Sequence, residues 1–376
     1  MSFSNTRRHY TALDGLRGIA AIIVVLSHLG DSFNIHACVA HAHLAVEFFF
    51  MLSGFVIGYA YDRRWDDGMT IFGFFKRRLV RLHPLVPLGV FLGIVPVLLL
   101  NMAGLADVPV WQFVLIAIGC ALMIPAFPVQ SMNPFNGPVW TLFYEYFANV
   151  LYAVWLRRIG KKTLVALVSV AAVASALVAF RIDLFGLLLN FGYTYKAGWR
   201  FETSHFYLAT TRLMFPFLTG LLICRLGTKI RVRNSFVPCA IAMVAILLFP
   251  PVDTWLPYSS IANGFYEYGM VLFVFPVLLM IGAGDESDDG GWVAKIAKFL
   301  GEISFPLYMT HYPFKNLLYW IYRNRAADWT NQRFFLVIVG FMAFAFAFAW
   351  LVMKFYCRPI GHWLVQKQEK DAKKGE

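Results

Sequence analysis

Two ionisable side chains, Arg17 and His28, stand in the first long apolar stretch of the chain, residues 12–30. Eleven positions at about 100° each return the two residues to one face of a helix, about 16 Å apart along its axis. A cation at membrane depth is costly and usually faces a bundle interior or a wet cavity, so we interpret the pair as part of a functional site. A structural interpretation also stands: Arg17 extends to the interface and His28 caps the far end of the helix.

Two acidic residues in later apolar stretches are candidates to orient His28. Glu47 lies near the start of the second stretch, and Glu145 lies one to two turns inside the fifth. A carboxylate beside an imidazole fixes its tautomer and raises its basicity. The sequence does not decide between the two acids, and an interfacial Glu47 exposed to water fits the pattern equally well.

Aromatic residues and a further histidine are candidates for the substrate-binding surface. Trp140 and Tyr144 lie one turn apart on the helix that carries Glu145, where they are suited to line a sugar or a linear chain. His311 lies in the middle of a late apolar stretch. It is either part of the site or a buried histidine whose hydrogen bonds are satisfied.

Arg77, Arg78 and Arg81 occupy one short segment that ends at Pro84. Their spacing predicts an interfacial helix over 74–82 with a single cationic face. Three guanidinium groups on one face suit phosphate. Cytoplasmic arginine clusters also set membrane topology and bind anionic lipids, so both interpretations stay open.

The composition predicts an all-α integral membrane protein. The 376 residues are 59% hydrophobic and only 14% charged. Most apolar runs of the chain are close in length to the roughly 20 residues that a helix needs to cross a membrane, and they are too uniformly apolar for the strands of a barrel. They are 13–29, 44–61, 84–101, 110–127, 139–156, 163–189, 206–224, 236–250, 265–283, 303–322 and 334–356. In the second run, Gly54 and Gly58 form a small-residue pair that predicts close helix packing.

The net charge of +12 is concentrated in short connecting segments, which is the positive-inside pattern and not the footprint of a nucleic-acid-binding protein. Both termini are therefore predicted to be cytoplasmic, with residues 363–376 as a basic tail. Two termini on one side require an even number of crossings. We predict about ten transmembrane helices and one re-entrant or interfacial segment within 84–127.

Cysteine and histidine spacing gives little support for a metal. The five cysteines show no paired spacing, and no acidic residue lies between His36, His41 and His43 in the first outer loop. We predict no metal site.

Five motifs carry a resemblance to a known family. The chain reads LDGLRG at 13–18 followed by His28, FFFMLSGF at 48–55, FFKRRLVRLHP at 74–84, VWTLFYEYF at 139–147 and ISFPLYMTH at 303–311. In this order the motifs resemble the acyltransferase 3 family of bacterial membrane proteins over almost the whole chain. One departure is mild: Thr141 stands where the family usually has serine.

The resemblance implies a fold and an activity. Family members typically have about ten transmembrane helices and transfer acetyl or another short acyl group from cytoplasmic acyl-CoA to a hydroxyl of an envelope or secreted carbohydrate or glycolipid. We therefore expect a membrane domain over residues 1–362 in the lipid bilayer of the bacterial inner membrane. We expect His28 to act as the general base, with Arg17 and either Glu47 or Glu145 near it in the catalytic site. We expect Arg77, Arg78 and Arg81 to bind the phosphates of CoA. A transporter or flippase for a sugar or lipid is the alternative, and the sequence does not indicate an oligomeric state.

Overall fold

A computed structural model of the protein describes residues 9–33, 39–102, 109–126, 131–250, 259–287, 290–324, 331–361 and 363. In this part of the chain the structure is helical, and two isolated bridges, Ser131 with Arg200 and Val232 with Asp285, are the extended pairings. The α-helices are α1 Thr11–Phe33, α2 Ala45–Asp66, α3 Ile71–Leu82, α4 Leu85–Met102, α5 Val110–Ala121, α6 Val139–Val154, α7 Lys161–Ala179, α8 Thr203–Leu226, α9 Phe236–Leu247, α10 Ile261–Gly269, α11 Phe275–Ala283, α12 Trp292–Asn324 and α13 Asn331–Val352.

Seven helical stretches among the described residues are long and apolar enough to cross a membrane: Thr11–Phe33, Ala42–Asp66, Ile71–Leu99, Lys161–Ala179, Thr203–Leu226, Ile261–Ala283 and Phe335–Gly361. The helices Trp111–Ala121 and Phe236–Leu247 are apolar but shorter than a full crossing. The all-α membrane architecture expected from composition is confirmed. The count of ten and the re-entrant segment stay predictions.

Helices α1 and α12 run parallel and form the most extensive helix pair of the bundle. Glycines allow their backbones to approach: a Cβ at Gly18 would collide with Leu300, and one at Gly301 would collide with Asp14. Close packing of α1 on α12 therefore explains the glycines of the LDGLRG motif. They bring the motif of α1 directly against the motif that begins at residue 303.

Helices α2 and α8 form the second close pair. A Cβ at Gly54 would meet the carbonyl oxygen of Phe217, and a Cβ at Gly220 would meet that of Met51. Gly58 faces the side chain of Leu221. The small-residue spacing in α2 thus does predict where another helix approaches, as in other membrane bundles.

Basic side chains gather where α2, α6 and α8 end and α7 begins, which we call the basic end. Arg225 binds the carboxylate of Asp62 at 2.8 Å, and Arg157 stacks 4.3 Å over the ring of Trp65. The opposite end, which we call the distal end, is covered by residues 180–202. This segment is fixed by Glu267, which accepts hydrogen bonds from the hydroxyl of Thr194 and the amide of Tyr195.

Candidate active site

A cavity of about 320 Å³ lies toward the basic end, between parts of α1, α2, α3, α6, α12 and the residues that follow α13. Its volume is within the range of small-molecule sites. Most of its wall is apolar. The polar side chains that line it are Arg17, Ser53, Arg78, Arg81, Thr141, Glu145, Glu302, Ser304 and Tyr308.

Arg17 is held in this wall by α12. Its Nε donates to the hydroxyl of Ser304 at 2.9 Å, and one terminal nitrogen donates to the carbonyl of Gly301 at 2.8 Å. The same nitrogen lies 3.1 Å from the carboxylate of Asp14. The guanidinium is therefore oriented by three neighbours while still lining the cavity.

Arg78 and Glu145 form an ion pair in the cavity wall. Arg78 is only 2% exposed, and it donates to the Oε1 of Glu145 at 2.5 Å, an oxygen that also accepts from Ser53 at 3.1 Å. A buried guanidinium needs such a counter-ion. Glu145 is thereby assigned to Arg78, and the prediction that it orients His28 is wrong.

Arg81 differs from Arg78 because it has no carboxylate partner within the described residues, although it lines the same cavity. Arg77 is exposed and lies outside the cavity wall. The prediction of one face shared by all three arginines is therefore wrong. Consecutive residues on a helix diverge by about 100°, so Arg77 and Arg78 point to different surroundings.

At Tyr308, the cavity wall comes close to two histidines, His28 and His311. The hydroxyl of Tyr308 lies 2.9 Å from that of Thr141, and both side chains line the cavity. One turn further along α12, the ring of His311 is centred 6.2 Å from the ring of Tyr308. The histidine pair thus follows directly behind the Tyr308 wall.

His28 and His311 stack on each other. Their ring centroids are 5.4 Å apart and their planes differ by 23°. Tyr312 places its ring edge-on to His28 at 5.2 Å. His28 is partly exposed, whereas His311 is buried.

The hydrogen bonding of His311 leaves one nitrogen free. Its Nδ1 lies 3.0 Å from the carbonyl of Leu307, and because a carbonyl only accepts, Nδ1 carries the proton. In the neutral ring Nε2 is then an acceptor, and it has no partner among the described residues. The interpretation of His311 as a fully satisfied histidine is therefore wrong, and its placement beside His28 makes it part of the candidate site.

A proline in α12 helps to hold the loop before α6 against this region. Pro313 has no N–H, so the carbonyl of Met309 lacks its helical partner. The side chain of Asn136 donates to that carbonyl at 2.7 Å. Asn133 in turn accepts from the amide of Asn136 at 2.9 Å, which orders the turn from which α6 begins.

Glu47 is not beside His28. It forms a buried ion pair with Arg212, with side chains 1% and 2% exposed, through both of its oxygens. Arg212 also donates to the carbonyls of Ala197 and His43. The prediction that Glu47 orients His28 is wrong, because its charge neutralises a cation on α8.

Trp140 and Tyr144 lie on a different face of α6 from the cavity-lining Thr141 and Glu145. Trp140 packs under the guanidinium of Arg212 at 5.2 Å, and Tyr144 packs on Trp140. The cavity therefore does not use these aromatic rings. The prediction that they line the substrate site does not hold for this cavity.

Two histidines of the first outer loop, His41 and His43, lie near each other, with ring centroids 6.4 Å apart. His41 and His43 make hydrogen bonds to Asn263 and to the carbonyl of Ala40, respectively, and His43 also pairs with Glu267. His36 lies outside the described residues. Within the described ranges, no group of three His, Cys, Asp or Glu residues has the geometry to hold a metal ion.

Sequence analysis missed three residues of α12 that surround the histidine pair. Tyr308, Tyr312 and Lys315 share a stripe with His311, at the spacing i, i+4 and i+7 from Tyr308. A polar stripe along an otherwise apolar helix was the available signal.

The family model described as an acyltransferase domain matches residues 10–354. The chain belongs to the acyltransferase 3 family. This acyltransferase is 32% identical over 176 residues to "Protein 2 in picA locus" of Rhizobium radiobacter, an alignment that covers 44% of this chain and 91% of that protein. It is 28% identical over 166 residues to "Acyltransferase MdmB" of Streptomyces mycarofaciens, covering 40% of each chain. No solved structure matches it.

For an acyltransferase, the arrangement offers two neighbouring parts, because the histidine pair lies next to the cavity wall at Tyr308 and does not itself line the cavity. The cavity presents guanidinium groups at the basic end, and the histidine pair offers imidazole nitrogens beyond it. An enzyme of this class needs a place for an acyl donor and a base for the acceptor hydroxyl.

Proposed function

We propose that the enzyme transfers an acetyl or another short acyl group from cytoplasmic acyl-CoA to a hydroxyl of a cell-envelope or secreted carbohydrate or glycolipid. The observation that supports this most is the guanidinium-lined cavity, whose Tyr308 wall is followed within one helical turn by the stacked His28 and His311. The order of these groups along α1 and α12 matches the order of groups in an acyl-CoA.

The basic end suits the nucleotide part of the donor. Arg81 has its guanidinium uncommitted to a carboxylate of the described residues, and phosphate is the ligand that such a fork-shaped donor favours. Arg17 lines the cavity further in, and His28 lies about 16 Å beyond it along α1. The thin pantetheine arm extends through this length and presents the thioester near His28.

His28 acts as the general base in this proposal. It takes the proton of the acceptor hydroxyl as the oxygen attacks the thioester carbonyl. The C–S bond then breaks, an ester C–O bond has formed, and the proton passes to the departing CoA thiolate. Acyl transfer is therefore balanced without an oxidant or a metal, and the buried His311 supports the base from behind.

The location follows from the distribution of charge. The basic end carries Arg64, Arg157, Arg225 and Lys229, and positive segments favour the cytoplasm. We infer an inner-membrane enzyme with both termini cytoplasmic, a membrane domain over 1–362 and a basic tail at 363–376, which lies almost entirely outside the described residues. The Streptomyces relative is named an acyltransferase, which agrees with group transfer.

The test is acetyl-CoA turnover by the purified protein in nanodiscs, with and without an extract of envelope sugars. We expect turnover that rises with the extract and falls at least about 100-fold in His28→Ala, because general-base catalysis contributes 10²–10⁴-fold. His83→Ala is the matched control, since His83 is partly buried like His28 but lies at the end of α3 and faces Tyr146, not the histidine pair. Turnover that survives His28→Ala refutes the base assignment. No turnover from folded protein refutes acyl transfer and makes sugar or lipid flux the next measurement.

A further inference from the structure

Lys315 is a buried cation with no carboxylate partner among the described residues. Its residue is 8% exposed, and its ammonium lies 4.1 Å over the ring of Tyr312. No hydrogen bond or ion pair joins it to the part of the chain that the structure describes. A cation at this depth is costly unless it is compensated, so it marks a place where an anion is expected.

The position of Lys315 relative to the histidines indicates which substrate brings that anion. Arg17 is level with Ser304 on α12, and Lys315 lies eleven residues beyond Ser304, about 16 Å along the helix. His311 lies between them. Lys315 is therefore on the distal side of the histidine pair, whereas the guanidinium groups proposed for the donor phosphates are on the basic side.

The distal surroundings of His28 carry a further cation that is already paired. Lys315 and Lys196 are both within electrostatic range of His28, and Lys196 binds Asp31 at 2.8 Å. Asp31 is within electrostatic range of Lys315 but is not bonded to it. Lys315 is therefore not joined to the carboxylate that binds Lys196.

We propose that Lys315 binds an anionic group of the acceptor, so that the enzyme selects carbohydrates bearing a carboxylate near the hydroxyl to be acylated. This rests on the proposed acyl transfer. An acceptor entering from the distal end meets Lys315 one helical turn before the histidines. When the carboxylate of the acceptor pairs with the ammonium of Lys315, the sugar ring lies against Tyr312 and its hydroxyl lies at His28.

The experiment compares two probes that differ only in the charged group, methyl glucuronide and methyl glucoside. Binding of each is measured without acyl-CoA, by the ligand-dependent shift of thermal unfolding in phosphatidylcholine nanodiscs, which carry no anionic lipid. We expect the wild-type protein to bind the glucuronide about ten-fold more tightly than the glucoside, as one charge-assisted contact provides. Lys315→Met removes the preference, and Lys315→Arg keeps it.

A matched control isolates the position of the charge. Lys354 also lies over an aromatic ring, 4.9 Å above Trp350, but near the basic end, so Lys354→Met retains the preference for the glucuronide. Lys315→Met is expected to fold, because an apolar side chain of similar length replaces a buried unpaired charge. If its unfolding temperature falls, Lys315→Gln gives the same comparison.

The outcomes separate this proposal from the proposed function. Equal binding of both probes by the wild type, or a preference that survives Lys315→Met, overturns the anion site even if acetyl-CoA turnover depends on His28. A preference that Lys315→Met abolishes, in a protein without acyl transfer, supports the anion site and refutes the transferase.

Discussion

Arg81 is the side chain through which the donor site is most directly tested. It lines the cavity without a carboxylate partner among the described residues, so its removal leaves no buried anion behind. We expect Arg81→Ala to raise the KM for acetyl-CoA about ten-fold with little change in kcat, the pattern of a lost ground-state phosphate contact. Steady-state kinetics in nanodiscs measure both constants.

The control for Arg81 is its neighbour on α3. Arg77 is exposed and outside the cavity wall, so Arg77→Ala keeps the wild-type KM although it removes the same charge. Acetyl-pantetheine, which lacks the nucleotide, is expected to be used equally by Arg81→Ala and the wild type. A KM increase that is also seen with acetyl-pantetheine contradicts the phosphate role.

Glu47 and Arg212 have a stabilising role that differs from catalysis. Each is the buried counter-ion of the other, so Arg212→Met leaves an isolated carboxylate and Glu47→Leu leaves an isolated guanidinium. We expect either single change to cost about 3–5 kcal/mol of folding free energy, and the double change to cost less than either. Thermal unfolding in detergent gives the order of the three variants.

A surface ion pair gives the comparison for that experiment. Arg231 and Glu286 lie 3.6 Å apart with side chains 83% and 51% exposed. Arg231→Met is expected to change stability by less than about 1 kcal/mol. Single and double changes at the buried pair that add independently would show that the two charges do not act as a pair.

At the scale of helices, the close approach of α2 and α8 depends on glycines. A Cβ on Gly54 or Gly220 falls onto a backbone carbonyl of the facing helix, which has no side-chain rotation to relieve the overlap. We expect Gly54→Ala and Gly220→Ala each to cost at least about 1–3 kcal/mol through overpacking. The same thermal measurement tests this.

Gly340 in α13 is the matched control for helix packing. No atom lies within 4 Å of a Cβ placed there, and the residue is exposed. Gly340→Ala is expected to be neutral or to stabilise by up to about 1 kcal/mol, because alanine favours the helix. Equal stabilities for Gly54→Ala and Gly340→Ala would contradict the close contact between α2 and α8.

The sequence predicted the helices and much of the cavity better than it predicted which buried charged side chains form ion pairs. Apolar periodicity and the family motifs led to α1, α12 and the residues Arg17 and His28, because these signals are local. The partner of Glu47 lies 165 positions away on α8, and nothing in the spacing of either residue shows that α2 and α8 are neighbours. Pairing of buried charges depends on which helices touch, so it required the folded structure.

The arginine cluster shows the same limit at shorter range. The spacing of Arg77, Arg78 and Arg81 predicted a helix, and α3 forms at this place in the chain. Residue spacing does not, however, give the rotation of a helix about its axis. That rotation buries Arg78 on Glu145 and exposes Arg77. Lys315 was missed for a different reason, since the sequence does not distinguish a lysine buried in a helix bundle from one that extends to the interface.

At the scale of the whole molecule, the proposal requires the cavity to face the cytoplasm and residues 180–202 to face the other side. Asp67 is an exposed residue in the turn between α2 and α3, and Asn190 is an exposed residue of the distal segment. In a cysteine-free background, we expect Asn190→Cys to react with a membrane-impermeant maleimide in spheroplasts. Asp67→Cys is expected to react only after permeabilisation, because the arginine-rich connections set this orientation. The reverse pattern would place the guanidinium-lined cavity away from cytoplasmic acyl-CoA and would contradict the donor assignment, whereas the packing of the helices would stand.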